Sequence, residues 1–127
     1  MKKGFTLVEL LGVIVILGII GMITVPLVQR TIIENNQKLC QDQVTSFERA
    51  ARNYANKNVY QTETLIINSG GTYNITLSEL QEEGFLQDGD IENPLTGENF
   101  NLNTGVNIKE SNNQFSYEYD DPNACSN

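Results

Sequence analysis

The chain has 127 residues, with 16 acidic and 8 basic groups, a net charge of -8 and no histidine. That length holds one small domain at most. Without histidine there is no His-based triad, His metal site or imidazole proton shuttle, and two cysteines are too few for a zinc cluster.

The apolar residues are unevenly placed. Met1–Val28 holds 18 of them, which leaves the rest of the chain lean for a globular domain. From Asn58 onward, twelve acidic residues stand against one basic residue, Lys109. The net charge there is about -11, which argues against direct nucleic-acid readout. Nothing in the composition asks for a cofactor, and there is no glycine-rich phosphate loop.

Leu7–Val28 (LVELLGVIVILGIIGMITVPLV) contains a single charge, Glu9. A helix of that length covers roughly 33 Å, enough for a bilayer core. Lys2 and Lys3 precede it, so the start should stay cytoplasmic and the remainder should be exported. A removable secretory signal needs small residues at a cleavage site, yet the first alanine is Ala50. A plain single-pass anchor accounts for the length but not for Glu9. A carboxylate inside a spanning helix costs roughly 2.5–3.5 kcal/mol on insertion scales, unless Glu9 stays wet at the interface.

Lys3-Gly4-Phe5-Thr6-Leu7-Val8-Glu9, followed by the apolar run, resembles the processing motif of type IV prepilins and pseudopilins. The close match covers residues 2 to about 30. The resemblance implies that a prepilin peptidase cuts between Gly4 and Phe5 and methylates the new Phe5 amine. It further implies identical subunits in a helical filament, an assembly platform and minor pilins as partners, and a membrane location before assembly. The chain would pass from the cytoplasmic membrane to a surface or envelope-spanning filament.

The physics of Glu9 can be argued separately. An unpaired ammonium or carboxylate among packed apolar helices is costly. Glu9 of one subunit can neutralise the Phe5 amine of its neighbour and thereby fix the axial stagger. Gly18, Gly21 and Pro26 weaken the helix locally, because glycine lowers propensity and proline removes an N–H. In pili of the resembled family the matching stretch is often unwound, so Gly18–Pro26 is expected either to melt on assembly or to remain merely kinked.

Gln29–Lys57 has neither glycine nor proline. Ile33, Cys40, Val44, Phe47, Ala51 and Tyr54 recur at helical period and predict an apolar stripe. Glu48 and Arg52 are spaced as an i,i+4 pair. Arg49, Arg52 and Lys57 read as a solvated face, or as contacts to acidic neighbours, more readily than as a DNA patch.

Asn58–Tyr73 reads as a connector with a short strand at Thr64–Asn68 and a turn at Ser69-Gly70-Gly71. Thr76-Leu77-Ser78-Glu79 is a capping box that opens a short helix ended by Gly84. Three alternating runs predict an antiparallel meander, with strands at Phe100–Leu102, Val106–Ile108 and Phe115–Tyr119. The fold class is therefore α+β, a long N-terminal helix packed on a small antiparallel sheet. The expected segments are 1–4 (leader), 5–28 (membrane or filament half-helix), 29–57 (amphipathic half-helix) and 58–127 (head).

Asp88, Asp90, Glu92, Asn93 and Glu98 are oxygen donors in one loop. Some secretion pseudopilins bind calcium near this place, but the full calcium-loop spacing is missing, and a solvated acidic loop is the plainer reading. Cys40 and Cys125 in an exported chain favour a disulfide that staples a lean core, with two free thiols as the alternative. The overall expectation is a structural filament subunit and not an enzyme, resembling competence-type major pilins. Secretion pseudopilin, minor pilin and membrane-anchored binding module are the alternatives.

Overall fold

The computed structural model describes residues 4 and 6–126. Its elements are α1 (Leu7–Lys57), α2 (Val59–Asn68), β1 (Thr72–Thr76), α3 (Leu77–Glu82), β2 (Gly105–Ser111) and β3 (Gln114–Tyr119). The chain divides into two units, Met1–Asn35 and Asn36–Asn127, and α1 contributes to both.

In the first unit α1 is helical throughout, including Gly18, Gly21 and Pro26. All sixteen large apolar side chains from Leu7 to Val28 are exposed. By length and composition this helix is apolar enough to cross a membrane. Pro26 has no N–H to give the Met22 carbonyl. The Thr24 hydroxyl donates to Ile20 O at 3.0 Å and the Thr31 hydroxyl to Leu27 O at 3.0 Å, a back-bonding that bends helices.

The second unit is built on the buried row of α1. Cys40, Phe47, Ala50, Ala51 and Ala55 are buried there, and Val44 and Tyr54 pack beside them. Phe47 lies at the centre, with Phe100 edge-on at 5.0 Å and Tyr119 at 5.4 Å between centroids. The small Ala50, Ala51 and Ala55 let other elements approach the helix closely. Ile33 belongs to the other unit and is 49 % exposed, so the stripe begins at Cys40 and not at Ile33.

Thr64–Asn68 is not a strand. It is the end of α2, which packs on β1 and β2. Its β-branched run favours a strand locally, but Thr62 and Ile66, one turn apart, are both buried, and that packing outweighs propensity. Two helices close by the same device. Gly70 (φ 79°) and Gly84 (φ 80°) are left-handed. Gly71 N donates to Ile66 O and Gly70 N to Ile67 O; Phe85 N donates to Leu80 O and Gly84 N to Gln81 O. This is the Schellman pattern, which needs a residue free of Cβ strain at the position after the cap. At the start of α3, Thr76 Oγ1 accepts from Glu79 N at 3.1 Å, while the Glu79 carboxylate accepts from the Tyr73 hydroxyl at 3.0 Å. Burial, and then Glu79, hold the Tyr73 phenol well above its usual range.

The sheet has three antiparallel strands in the order β1-β2-β3. Phe100–Leu102 is not one of them; β1 takes that place and pairs Ile75 with Val106. Asn101 explains the difference. Its Oδ1 accepts from Asn103 N and its carbonyl from Thr104 N, both at 3.0 Å, so the segment turns. Phe100 still reaches the core from the loop. The β2–β3 hairpin has Asn112 (φ 54°) and Asn113 (φ 64°) at its tip, a two-residue turn whose twist suits a hairpin. Val106, Ile108 and Tyr119 face the core.

Gly105 stands where β1 and β2 come closest. A Cβ there would lie 1.9 Å from Ile75 O. Gly105→Ala should therefore destabilise the second unit by about 3 kcal/mol or more, whereas Gly12→Ala should cost nothing. Thermal unfolding of the detergent-solubilised chain checks both. A second prediction concerns alkaline pH. Burial first, then Asp121 and Asp120, push the Tyr119 phenol up from 10.0 to about 12. A raised folded value means that the contribution is fully present below pH 10 and lost as pH rises toward 12. Tyr119→Phe should flatten that loss in a pH series of unfolding midpoints.

Candidate functional site

The site begins at the first turn of α1. Glu9 N donates to Thr6 Oγ1 at 3.2 Å, and Thr6 N donates to Glu9 Oε2 at 3.3 Å. This is a reciprocal capping box that satisfies two of the orphan donors of the helix start. A carboxylate there also complements the positive end of the helix dipole. Sequence reasoning assigned Glu9 to a neighbouring subunit and overlooked this role, although Thr6-Leu7-Val8-Glu9 has the same T-x-x-E spacing that located α3. Gly4 is exposed, with open space around its Cα. Phe5 lies outside the described residues, as do Lys2 and Lys3. A side chain at Gly18 or Gly21 would meet open space beyond the helix's own backbone among the described residues.

The far end of the chain is fastened to α1. Cys40 and Cys125 form a disulfide, with Cα atoms 5.6 Å apart. Two side chains assist. Gln37 Nε2 donates to Cys125 O at 3.3 Å, and Asn93 Nδ2 donates to Ala124 O at 2.9 Å. Asn93 is buried, and its Oδ1 accepts from Leu95 N. It therefore links loop to tail, a role that the sequence, which offers it only as one oxygen donor of an acidic loop, does not announce.

Asp88, Asp90 and Glu92 line one cleft of about 520 Å³ with Gln43, Ser46 and Phe85. Among the described residues, no group of three or more Asp, Glu, Cys or His is placed to hold a metal ion. Glu48 and Arg52 have β3 partners in place of the expected i,i+4 pairing. Glu48 Oε2 accepts from Tyr119 N at 3.2 Å, and the Arg52 guanidinium lies over the Tyr117 ring at 5.5 Å. Burial raises the Tyr117 phenol, and Arg52 opposes that rise. Lys57 stands over Phe85 at 5.8 Å. Of the three α1 cations considered for DNA, two are thus held against aromatic rings of their own chain.

Residues 1–25 match the family model described as the prokaryotic N-terminal methylation motif. That motif marks the type IV pilins and pseudopilins, and the amino-terminal segment of this chain is similar to that of their precursors. No curated protein and no solved structure matches the chain.

The disulfide closes a long loop around a lean core. Replacing both Cys40 and Cys125 by Ser should lower stability by about 2–4 kcal/mol. It should also release the tail beyond Tyr119 to limited proteolysis before the rest of the head. Denaturant unfolding and peptide mapping of the full chain measure the two effects.

Proposed function

We propose that the chain is a main structural subunit, cut between Gly4 and Phe5 and polymerised into a type IV pilus-like filament through its apolar half-helix. The observation that carries this reading is the union of the methylation motif with sixteen exposed apolar side chains on the helix that follows it. Before assembly, lipid covers them. Afterwards, the same helices of other subunits do so.

The chemistry follows from the residues. Hydrolysis of the Gly4–Phe5 amide frees the α-amine of Phe5, and methylation of a basic amine leaves its charge in place. In a water-poor filament centre that cation needs a carboxylate, and Glu9 lies one turn away in sequence. A carboxylate offers about four acceptor positions. Glu9 can therefore cap its own helix through Oε2 and still accept from the amine of a neighbour. In this reading the capping box holds the carboxylate ready near the helix start, so pairing loses less side-chain freedom. Gly18–Pro26 is the stretch proposed to unwind on assembly, where Met22 O already lacks the donor that Pro26 cannot supply.

The test is intact mass of sheared surface material together with electron microscopy, using antibody against residues 58–127. The expected mass is that of Phe5–Asn127 plus one methyl group, and the label should run along whole filaments. Label confined to tips, or expressed protein with no filaments, would overturn the main-subunit reading. Glu9→Ala should be cleaved normally yet lower filament yield by at least about tenfold; unchanged yield would remove Glu9 from assembly.

A further inference from the structure

Between Asn36 and Lys57, α1 presents a second face opposite the buried row. Lys38, Asp42, Thr45, Arg49, Asn53 and Asn56 are all exposed and recur at steps of three and four, so they form one ridge. Lys38 and Arg49 make it cationic, and Asp42 is its single carboxylate. The other two cations of this stretch, Arg52 and Lys57, stand over Tyr117 and Phe85. Beside the ridge lies the cleft of about 520 Å³, whose far wall carries exposed Asp88, Asp90 and Glu92.

We infer that the Lys38–Arg49 ridge of one subunit docks in the Asp88–Glu92 cleft of a second copy of this chain. This rests on the filament reading above and adds the contact between heads. Charge complementarity selects the occupant. From Asn58 onward each head has twelve acidic residues against Lys109 alone. Heads packed within a Debye length of about 8 Å repel unless acidic surface meets cationic surface. The ridge supplies that surface. The cleft carboxylates do not converge on a metal ion among the described residues; they are spread along a wall, as separate side-chain cations require. Ridge and cleft are different surfaces of one unit, so the contact is heterologous. Each docked copy leaves one ridge and one cleft open, which makes the contact repeat along a polymer. A nucleic acid fits less well, because the acidic walls beside the ridge repel its phosphates.

The experiment reverses the ridge in the full chain with Lys38→Glu and Arg49→Glu. Cleavage, disulfide formation and membrane level should match wild type, while sheared filaments fall by at least about tenfold. Adding Asp88→Lys and Asp90→Lys should restore them. Independently, carbodiimide treatment of wild-type filaments should give covalent dimers joined by an amide between Lys38 and a carboxylate of Asp88–Glu92, read by peptide mass. Wild-type filament yield from the ridge-reversed chain, or Lys38 joined only to other segments, overturns the inference. So does a ridge reversal that spares filaments but abolishes retention of a double-stranded DNA oligonucleotide. If the wild-type chain is cleaved and yet forms no filaments, the proposed function itself falls. Filaments indifferent to the ridge sink this contact alone.

Discussion

The exposed apolar half of α1 governs this molecule. Sixteen large apolar side chains between Leu7 and Val28 are exposed. At roughly 25 cal/mol per Å² of apolar surface, leaving them in water is far costlier than the marginal stability of a small domain. The apolar half of α1 therefore calls for an apolar environment outside its own chain. Everything polar near that helix has to be reconciled with it. Glu9 sits in the first turn, where its carboxylate replaces water for Thr6 N. The next charged group, Arg30, comes only after the apolar run has ended.

The second unit obeys a different constraint, which is scarcity. Its core is one aromatic cluster, Phe47 with Phe100 and Tyr119, walled by Ile75, Leu77, Leu80, Val106 and Ile108. A core of this size secures few segments by burial alone. The remaining order comes from specific devices. Two Schellman glycines end α2 and α3, an asparagine pair turns the hairpin, and Glu48 closes the sheet edge at Tyr119. Asn93, Gln37 and the disulfide then hold a tail that has little apolar surface of its own.

Legibility followed the strength of the local signal. The long helix, the α3 start at Thr76, the Gly84 stop and the β2–β3 hairpin are all marked by short-range chemistry that tertiary contacts do not oppose. Thr64–Asn68 misled because β-branched residues in a row look like a strand, and only burial of Thr62 and Ile66 reveals a helix. Phe100–Leu102 misled for the converse reason. Its apolar alternation is real, but Asn101 captures the backbone into a turn, and β1, half-buried except at the buried Ile75, pairs instead. At the site, the reciprocal bonds between Thr6 and Glu9 are legible in the T-x-x-E spacing. Asn93 was beyond reach, since no local pattern announces that a loop amide will bind a tail carbonyl.

The disulfide also decides where the chain can lengthen when pulled. Cys40 and Cys125 enclose the intervening residues in a covalent ring. Tension entering along α1 from its amino-terminal end and resisted near the last residues passes through the sulfur bridge, not through the sheet. The strands bear none of that load and keep their register while it acts. Extension under that load is confined to residues before Cys40, where the backbone has glycine at 18 and 21 and proline at 26. The chain is thus partitioned mechanically into a compliant amino-terminal segment and an inextensible carboxy-terminal ring, by a single bond placed one third of the way along it.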